Sequence, residues 1–296
     1  MIVRQRNSAA STRLLFNLGG GIVVLLTAAL AWKWSQYKPA MPTCEQRYAS
    51  GVLFSLARGS GALLSIDDLK ARLEDNDWGL GTNARIKTTG SRQVPVALEI
   101  DLRADKASPS SPSERRSGIG FNWYSPSLET AASACLSYSV WVPEDFDYGS
   151  GGRLPGLTGG RPDGGETIAA SMARRFFTRV SWRHDRSLSV TPGSQDGQLG
   201  DAARIADGNV RLSPGRWTRI EQEVILNTPD NRDGILRVWV DGVLGLELRD
   251  VAWRGSVDQR WLGVNADAYY ARAGRDWVSA PRDTSIRISP LELRVQ

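Results

Sequence analysis

The chain has one histidine, His184, and two cysteines, Cys44 and Cys135. A lone histidine leaves little room for a Ser-His-Asp hydrolase triad, and no Gly-x-Ser-x-Gly elbow occurs anywhere in the sequence. The cysteines are far apart and make no Cys-x-x-Cys pair. There is no His-x-x-x-His and no EF-hand loop, and the acids are scattered singly, so neither a metal nor a cofactor is expected. Lysine is scarce beside arginine, and no Lys/Arg-rich block, zinc-finger spacing or RNA-binding signature appears. Nucleic acid is therefore not an expected partner, despite a net charge of +5. No internal repeat is visible.

What is present suits one sizeable core: 296 residues, 41% of them hydrophobic. Eleven tryptophans and 30 glycines are a combination common in β-rich, carbohydrate-handling proteins. Residues 14–31 are apolar and uncharged, just long enough to cross a bilayer. Arg4, Arg6 and Arg13 before them place the N-terminus in the cytoplasm and the bulk of the chain outside. Ala29-Leu30-Ala31 reads as a cleavage site, but Trp32 and Trp34 as interface anchors favour an uncleaved signal anchor. The expected organisation is a basic cytoplasmic tail at 1–13, a transmembrane anchor at 14–32, a linker with a short helical segment at 33–83, and one domain at 84–296. The protein is then held at the membrane by its N-terminal helix with the domain in the periplasm or outside the cell, or is secreted if the signal is cleaved. In such a compartment Cys44 and Cys135 can pair, the alternative being one buried and one exposed thiol.

Ser65-Ile66-Asp67-Asp68-Leu69 has the form of a helix start, with Ser65 as N-cap and Asp68 placed to reach back. From about residue 84 the period becomes two. Val94, Val96, Leu98, Ile100 and Leu102 alternate with polar or small residues, as in a half-buried strand. Ala107–Ser117 is a Ser/Pro-rich loop. Further strands are expected at Ile119–Tyr124, Ala134–Val142, Phe176–Arg183, Thr218–Leu226, Ile235–Val240 and Ile286–Val295, with an Asp241-Gly242 hairpin turn. Many short strands and few helices give an all-β sandwich or jelly roll.

Within this pattern Cys135–Gly160 stands out. It starts as a strand, breaks at Pro143, and reaches Gly151-Gly152-Arg153-Leu154-Pro155-Gly156-Leu157, a cation between glycines and a rigid corner. Arginine is suited to bidentate carboxylate recognition, so an acidic polymer fits as partner.

These residues, with Cys135–Tyr138 and Gly159-Gly160, resemble the polysaccharide lyases of family 14, alginate and glucuronan lyases built as a β-jelly roll, a concanavalin-like sandwich. Phe177-Thr178-Arg179-x-x-Trp182-Arg183, Gly215-Arg216-Trp217, Ile220-Glu221-Gln222, Leu226-Asn227-Thr228-Pro229, Gly234–Gly242 and Pro281-x-Asp283-Thr284 carry the likeness further, over roughly residues 85–296. It implies β-elimination on an acidic polysaccharide: a cation neutralises the uronate carboxylate, a base takes the C5 proton, and an acid protonates the departing oxygen. The family's lysine falls on Arg153, which keeps the charge but cannot serve as a base. Its Ser-x-Arg pair falls on Phe177 and Arg179. Its Tyr-x-Tyr pair falls near Leu188-Ser189-Val190, where no tyrosine stands.

The catalytic candidates are therefore Arg153 and Arg179, with His184 as a base able to titrate near neutrality. His184-Asp185-Arg186 also reads as a simple turn. Arg183 shares a strand face with Arg179, and Gln222, opposite Glu221 and Glu223, is a candidate for sugar hydroxyls, the two acids being expected in solvent. Tyr269 and Tyr270 offer phenols for substrate contact. Trp141, Trp217, Trp239 and Trp253 either stack on sugars or fill the core. Two functions follow: a polyuronate lyase, or a non-catalytic jelly roll that binds anionic polysaccharide at the cell envelope.

Overall fold

The alternation that marks Val94–Leu102 produces the strand Val96–Leu102, and the same logic repeats through the chain. The structure, a computed structural model, describes residues 27, 41–74, 76–104, 117–161, 175–193, 202–272 and 278–296. The expected anchor at 14–32 and most of the Ser/Pro-rich loop lie outside the described residues. Among the described residues no helix is long and apolar enough to cross a membrane.

In chain order the strands are β1 (Gly51–Phe54), β2 (Asp77–Trp78), β3 (Ala84–Thr88), β4 (Val96–Leu102), β5 (Gly120–Trp123) and β6 (Ser133–Trp141). Next come β7 (Gly152–Arg153), β8 (Gly156–Gly160), β9 (Arg175–Trp182), β10 (Leu188–Gly193), β11 (Ala203–Arg204) and β12 (Thr218–Ile225). The last six are β13 (Gly234–Val240), β14 (Val243–Val251), β15 (Arg260–Asn265), β16 (Tyr269–Tyr270), β17 (Thr284–Ile288) and β18 (Leu291–Val295). The stretch Ile286–Val295, read as one strand, is two, divided at Ser289-Pro290, because proline cannot donate to a ladder.

The strands form two antiparallel nine-stranded sheets. The first runs β14-β13-β12-β6-β17-β4-β3, with β18 joining β6 to β1. The second runs β11-β10-β9-β8-β15-β5-β2, with β7 bridging β9 and β16. Between them lies one hydrophobic core that includes Leu136, Tyr138, Val140, Leu157, Phe176, Val180, Trp182, Val238 and Trp253. This is an all-β sandwich.

Two local expectations hold in detail. The helix Ile66–Arg72 is closed by a capping box: Asp68 N donates to Ser65 Oγ at 3.0 Å and Ser65 N to Asp68 Oδ2 at 2.9 Å. Asp241 and Gly242, at φ of 50° and 78°, both take the positive values that a type I′ hairpin requires.

Residues 42–83 do not form a separate linker. They belong to the same unit as the sandwich, Pro42–Gln296, and supply edge strands to both sheets, β1 beside β18 and β2 beside β5. A short helix, Cys44–Arg47, packs on the outer face of the first sheet, where a Cys44–Cys135 disulfide fastens it to β6 with a Cα–Cα distance of 6.1 Å. This strap explains why Glu221 and Glu223 are 2% and 0% exposed rather than solvated. Cys44 N donates to Glu221 Oε2 at 2.9 Å, while Glu223 meets Arg47 at 3.0 Å and Arg237 at 2.6 Å. Buried acids survive here because each is paired.

Candidate functional site

Strand β9 sorts its side chains by alternation. Phe176, Thr178, Val180 and Trp182 are buried against the core, and Arg175, Phe177, Arg179 and Ser181 are half-buried on the opposite face. Arg183 continues that alternation just past the strand. The ladder carries the face sideways. Ser181 pairs with Ser189 and Arg179 with Thr191 on β10, while Arg153 of β7 pairs with Ser181. Arg153 Nη1 donates to Ser181 Oγ at 3.1 Å, which aims the guanidinium along the sheet. On its other side Arg153 stands opposite Tyr269 of β16. Arg179 lies over the Phe177 ring, 4.7 Å from guanidinium carbon to centroid.

The same face continues through Thr158, opposite Phe177, to Asn265 and Asn122. Two cavities lie along it. One, of about 490 Å³, is lined by Thr158, Arg175, Asn122 and Tyr124, and walled by Arg72–Glu74 and Asn76. The other, of about 340 Å³, is lined by Asn76, Asp77, Trp78, Asn122, Asn265 and Asp267. Trp78 meets Tyr269 edge-on with centroids 5.6 Å apart. The cationic, amide and aromatic groups around Arg153, Arg175 and Arg179 suit carboxylated sugars, whereas Glu74, Asp77 and Asp267 put negative charge at the far end of the same face. Among the described residues the one cluster of possible metal ligands is Cys44, Cys135 and Glu221, whose sulfurs are already bonded to each other.

The sequence candidates divide accordingly. Arg153, Arg179, Arg183 and Tyr269 come to one face. His184 sits in the exposed turn between β9 and β10, held by Asp185, whose carboxylate accepts from Ser187 and pairs with Arg204 at 3.1 Å. The Ser187 hydroxyl, with Arg204, holds Asp185 down to about 2. That turn is not part of the strand face. Gln222 is 0% exposed between the sheets, so it cannot meet a sugar. Tyr270 points inward, its hydroxyl donating to the Asp147 carbonyl and its ring stacked on Phe146. Burial pushes its phenol well up from the ordinary value. Trp239 and Trp253 are fully buried, and Trp141 carries Arg287 at 4.4 Å on the first sheet. Ser181 shares the face that alternation gives Phe177, Arg179 and Arg183, whereas Thr158, Asn122 and Trp78 carry no single-strand signal. Only cross-strand register reveals them, and Trp78 comes from the segment before the resemblance begins.

A family model described as polysaccharide lyase 14 matches residues 91–289. No curated protein sequence matches the chain. Among solved structures, the chain is similar to a marine alginate lyase of family PL-14 from Aplysia kurodai. The TM-score is 0.65 at 20% identity, covering 84% of this chain and 100% of that one. It is also similar to an alginate lyase from a Chlorella virus, with TM-score 0.59 at 15% identity over 76% and 97% of the two chains. An endo-β-1,4-glucuronan lyase from the fungus Trichoderma reesei gives 0.51 at 14% over 75% and 94%. These likenesses establish a shared jelly-roll fold. With the family model spanning most of both sheets, the chain belongs to the polysaccharide lyase 14 family.

Proposed function

We propose that the chain is a polyuronate lyase-like protein that holds an acidic polysaccharide across the β9 face and cleaves it by β-elimination. The observation that carries this reading is the convergence of the half-buried Arg153, Ser181 and Arg179 with Tyr269, 6% exposed, on one face. Arg153 and Arg179 neutralise the uronate carboxylate, which makes the C5 proton acidic. Neither can accept that proton, since a guanidinium stays charged. The phenol of Tyr269, directly across from Arg153, is assigned the proton transfer. The C5–H electrons form the C4–C5 double bond, the C4–O bond breaks, and the leaving oxygen takes a proton, so water is not consumed.

A second reading, binding without cleavage, is favoured by a specific observation. The strand facing Arg179 presents Ser189, Thr191 and Gly193, none of which carries a group that titrates near neutrality. The Cys44–Cys135 disulfide supports a working place outside the cytoplasm, in keeping with an N-terminal anchor.

Incubation of the purified chain with alginate, polyglucuronate and polymannuronate, followed by ultraviolet absorbance of the unsaturated product, separates the two. Product that disappears in Arg153→Ala supports the lyase. Binding by calorimetry without product at any pH leaves the binding reading, and absence of both sinks the pair.

A further inference from the structure

Arg153 and Thr158 face the groove together although they stand five residues apart on one continuous stretch. Strict alternation would send one of them into the core. Arg153 is opposite Ser181 and Thr158 opposite Phe177, so the β7–β8 side carries one residue more than the β9 side it faces. The surplus residue is a β-bulge at Leu154-Pro155-Gly156, and Leu154 and Leu157, both 1% exposed, mark its two inward flanks. Gly156 is required there because a Cβ would collide with the Thr178 carbonyl.

A bulge leaves backbone groups without ladder partners, and in a sandwich interior those groups must be satisfied some other way. The Pro155 carbonyl accepts from Gln222 Nε2 at 2.7 Å and from Tyr138 Oη at 2.9 Å. Gln222 Oε1 accepts from Thr178 Oγ1 at 2.8 Å, and Thr178 Oγ1 accepts from Leu157 N at 3.0 Å. Gln222, Tyr138 and Thr178 are 0%, 1% and 3% exposed. The circuit thus runs from Pro155, inside the bulge, to its Leu157 flank through Gln222 of β12 and Thr178 of β9, with Tyr138 of β6 as a second donor to the Pro155 carbonyl. In so dry a place a fully satisfied network rigidifies what it touches.

We infer that Gln222, together with Thr178 and Tyr138, is a positioning residue for the groove: the circuit locks the bulge, and the bulge keeps Arg153 and Thr158 on the same face. Without it a one-residue slip of β7 turns Arg153 away from Arg179. The inference rests on the reading of this face as a polyuronate site and deepens it.

Thr178→Val keeps the shape of the side chain and removes the hydroxyl link, whereas Thr178→Ser keeps the link. Titrated with polyglucuronate and polymannuronate, Thr178→Val is expected to lose about tenfold in affinity and Thr178→Ser to bind as the wild type. Backbone amide exchange at Leu157 should quicken in Thr178→Val while β12 and β13 stay protected. Gln222→Glu adds a pH readout. A protonated glutamic acid repeats the donor and acceptor of glutamine and an ionised one does not, so this variant should lose binding on raising the pH more steeply than the wild type.

A folded Thr178→Val with wild-type affinity and wild-type exchange at Leu157 overturns the inference. Equal losses in Thr178→Val and Thr178→Ser do so too, since the hydroxyl would then not be the cause. If Thr178→Val does not fold, a Gln222→Glu that follows the wild-type pH profile is the refuting result. If the wild type binds no polyuronate, the functional reading fails on its own, and unchanged Leu157 exchange in Thr178→Val then refutes the circuit separately.

Discussion

Tyr269 lies directly opposite Arg153 across the β7–β16 ladder, while its neighbour Tyr270 points into the core. Adjacent tyrosines therefore have opposite duties. Tyr269→Phe is expected to cut formation of unsaturated product by about a hundredfold or more, with polymer affinity within a few-fold of wild type. Tyr270→Phe is expected to leave both unchanged and to lower stability by about 1 kcal/mol, read from thermal melts. Equal loss of product in both variants would remove Tyr269 from the proton-transfer role.

Arg153 and Arg179 contribute charge, so their removal should register in binding before it registers anywhere else. Arg153→Ala is expected to weaken polyuronate binding by about 1.5–3 kcal/mol, and Arg153→Lys, which keeps the charge but not the planar fork, by less. His184→Ala, in its exposed turn, is expected to bind and turn over as the wild type. Calorimetry at low and high salt checks all three, because an ion-paired complex weakens as salt rises.

The disulfide closes a sequence separation of 91 residues and holds the strap over Glu221 and Glu223. Cys44→Ser with Cys135→Ser is expected to cost about 2–5 kcal/mol of stability. Denaturant titration of the purified chain, with and without reductant, measures it. Wild type under reductant should approach the double variant.

Glu99 on β4 sits among Lys87 at 2.7 Å, Arg287 at 2.8 Å and Arg85 at 2.9 Å. Burial alone would raise its carboxyl, but these three cations hold it down to about 2 against an ordinary 4.5. A folded value below the unfolded one means stability that is complete above roughly pH 4.5 and lost as the pH falls towards 2. The loss corresponds to about 3 kcal/mol, and Glu99→Gln should flatten that part of the acid-unfolding curve.

Much of the sandwich was legible because long alternating runs such as Val96–Leu102 declare a strand, although the face expected in solvent is buried too, Glu99 and Asp101 being covered by Arg85 and its neighbours. The short strands β7, β8 and β16 did not declare themselves, being glycine-rich or two residues long, and in β10 the alternation of Leu188 and Val190 stops at Pro192 before it makes a pattern. Arg153 and Arg179 were legible as cations on a strand and at a corner. Gln222 shows where single-strand reasoning stops. Its opposition to Glu221 and Glu223 was correctly placed, yet the face that looked solvated is the one the Cys44 strap buries. That fact resides in residues far away along the chain. Likewise, nothing in Tyr269-Tyr270 says which ring takes the groove, and only the pairing with Arg153 and Gly152 decides it.

The sulfur bridge between Cys44 and Cys135 also makes a mechanical shortcut. Tension applied to the chain ahead of Pro42 enters the sandwich at Cys135, near the start of β6, and the covalent path through the sulfurs bypasses the loop that the bridge closes. Arg294 stands opposite that same Cys135, so a pull between the two ends of the domain is borne by the β6–β18 seam. The cavity walls at Arg72–Glu74 and Asn76–Trp78 lie inside the bypassed loop, so a pull along the chain reaches them only through the sheets they pack on.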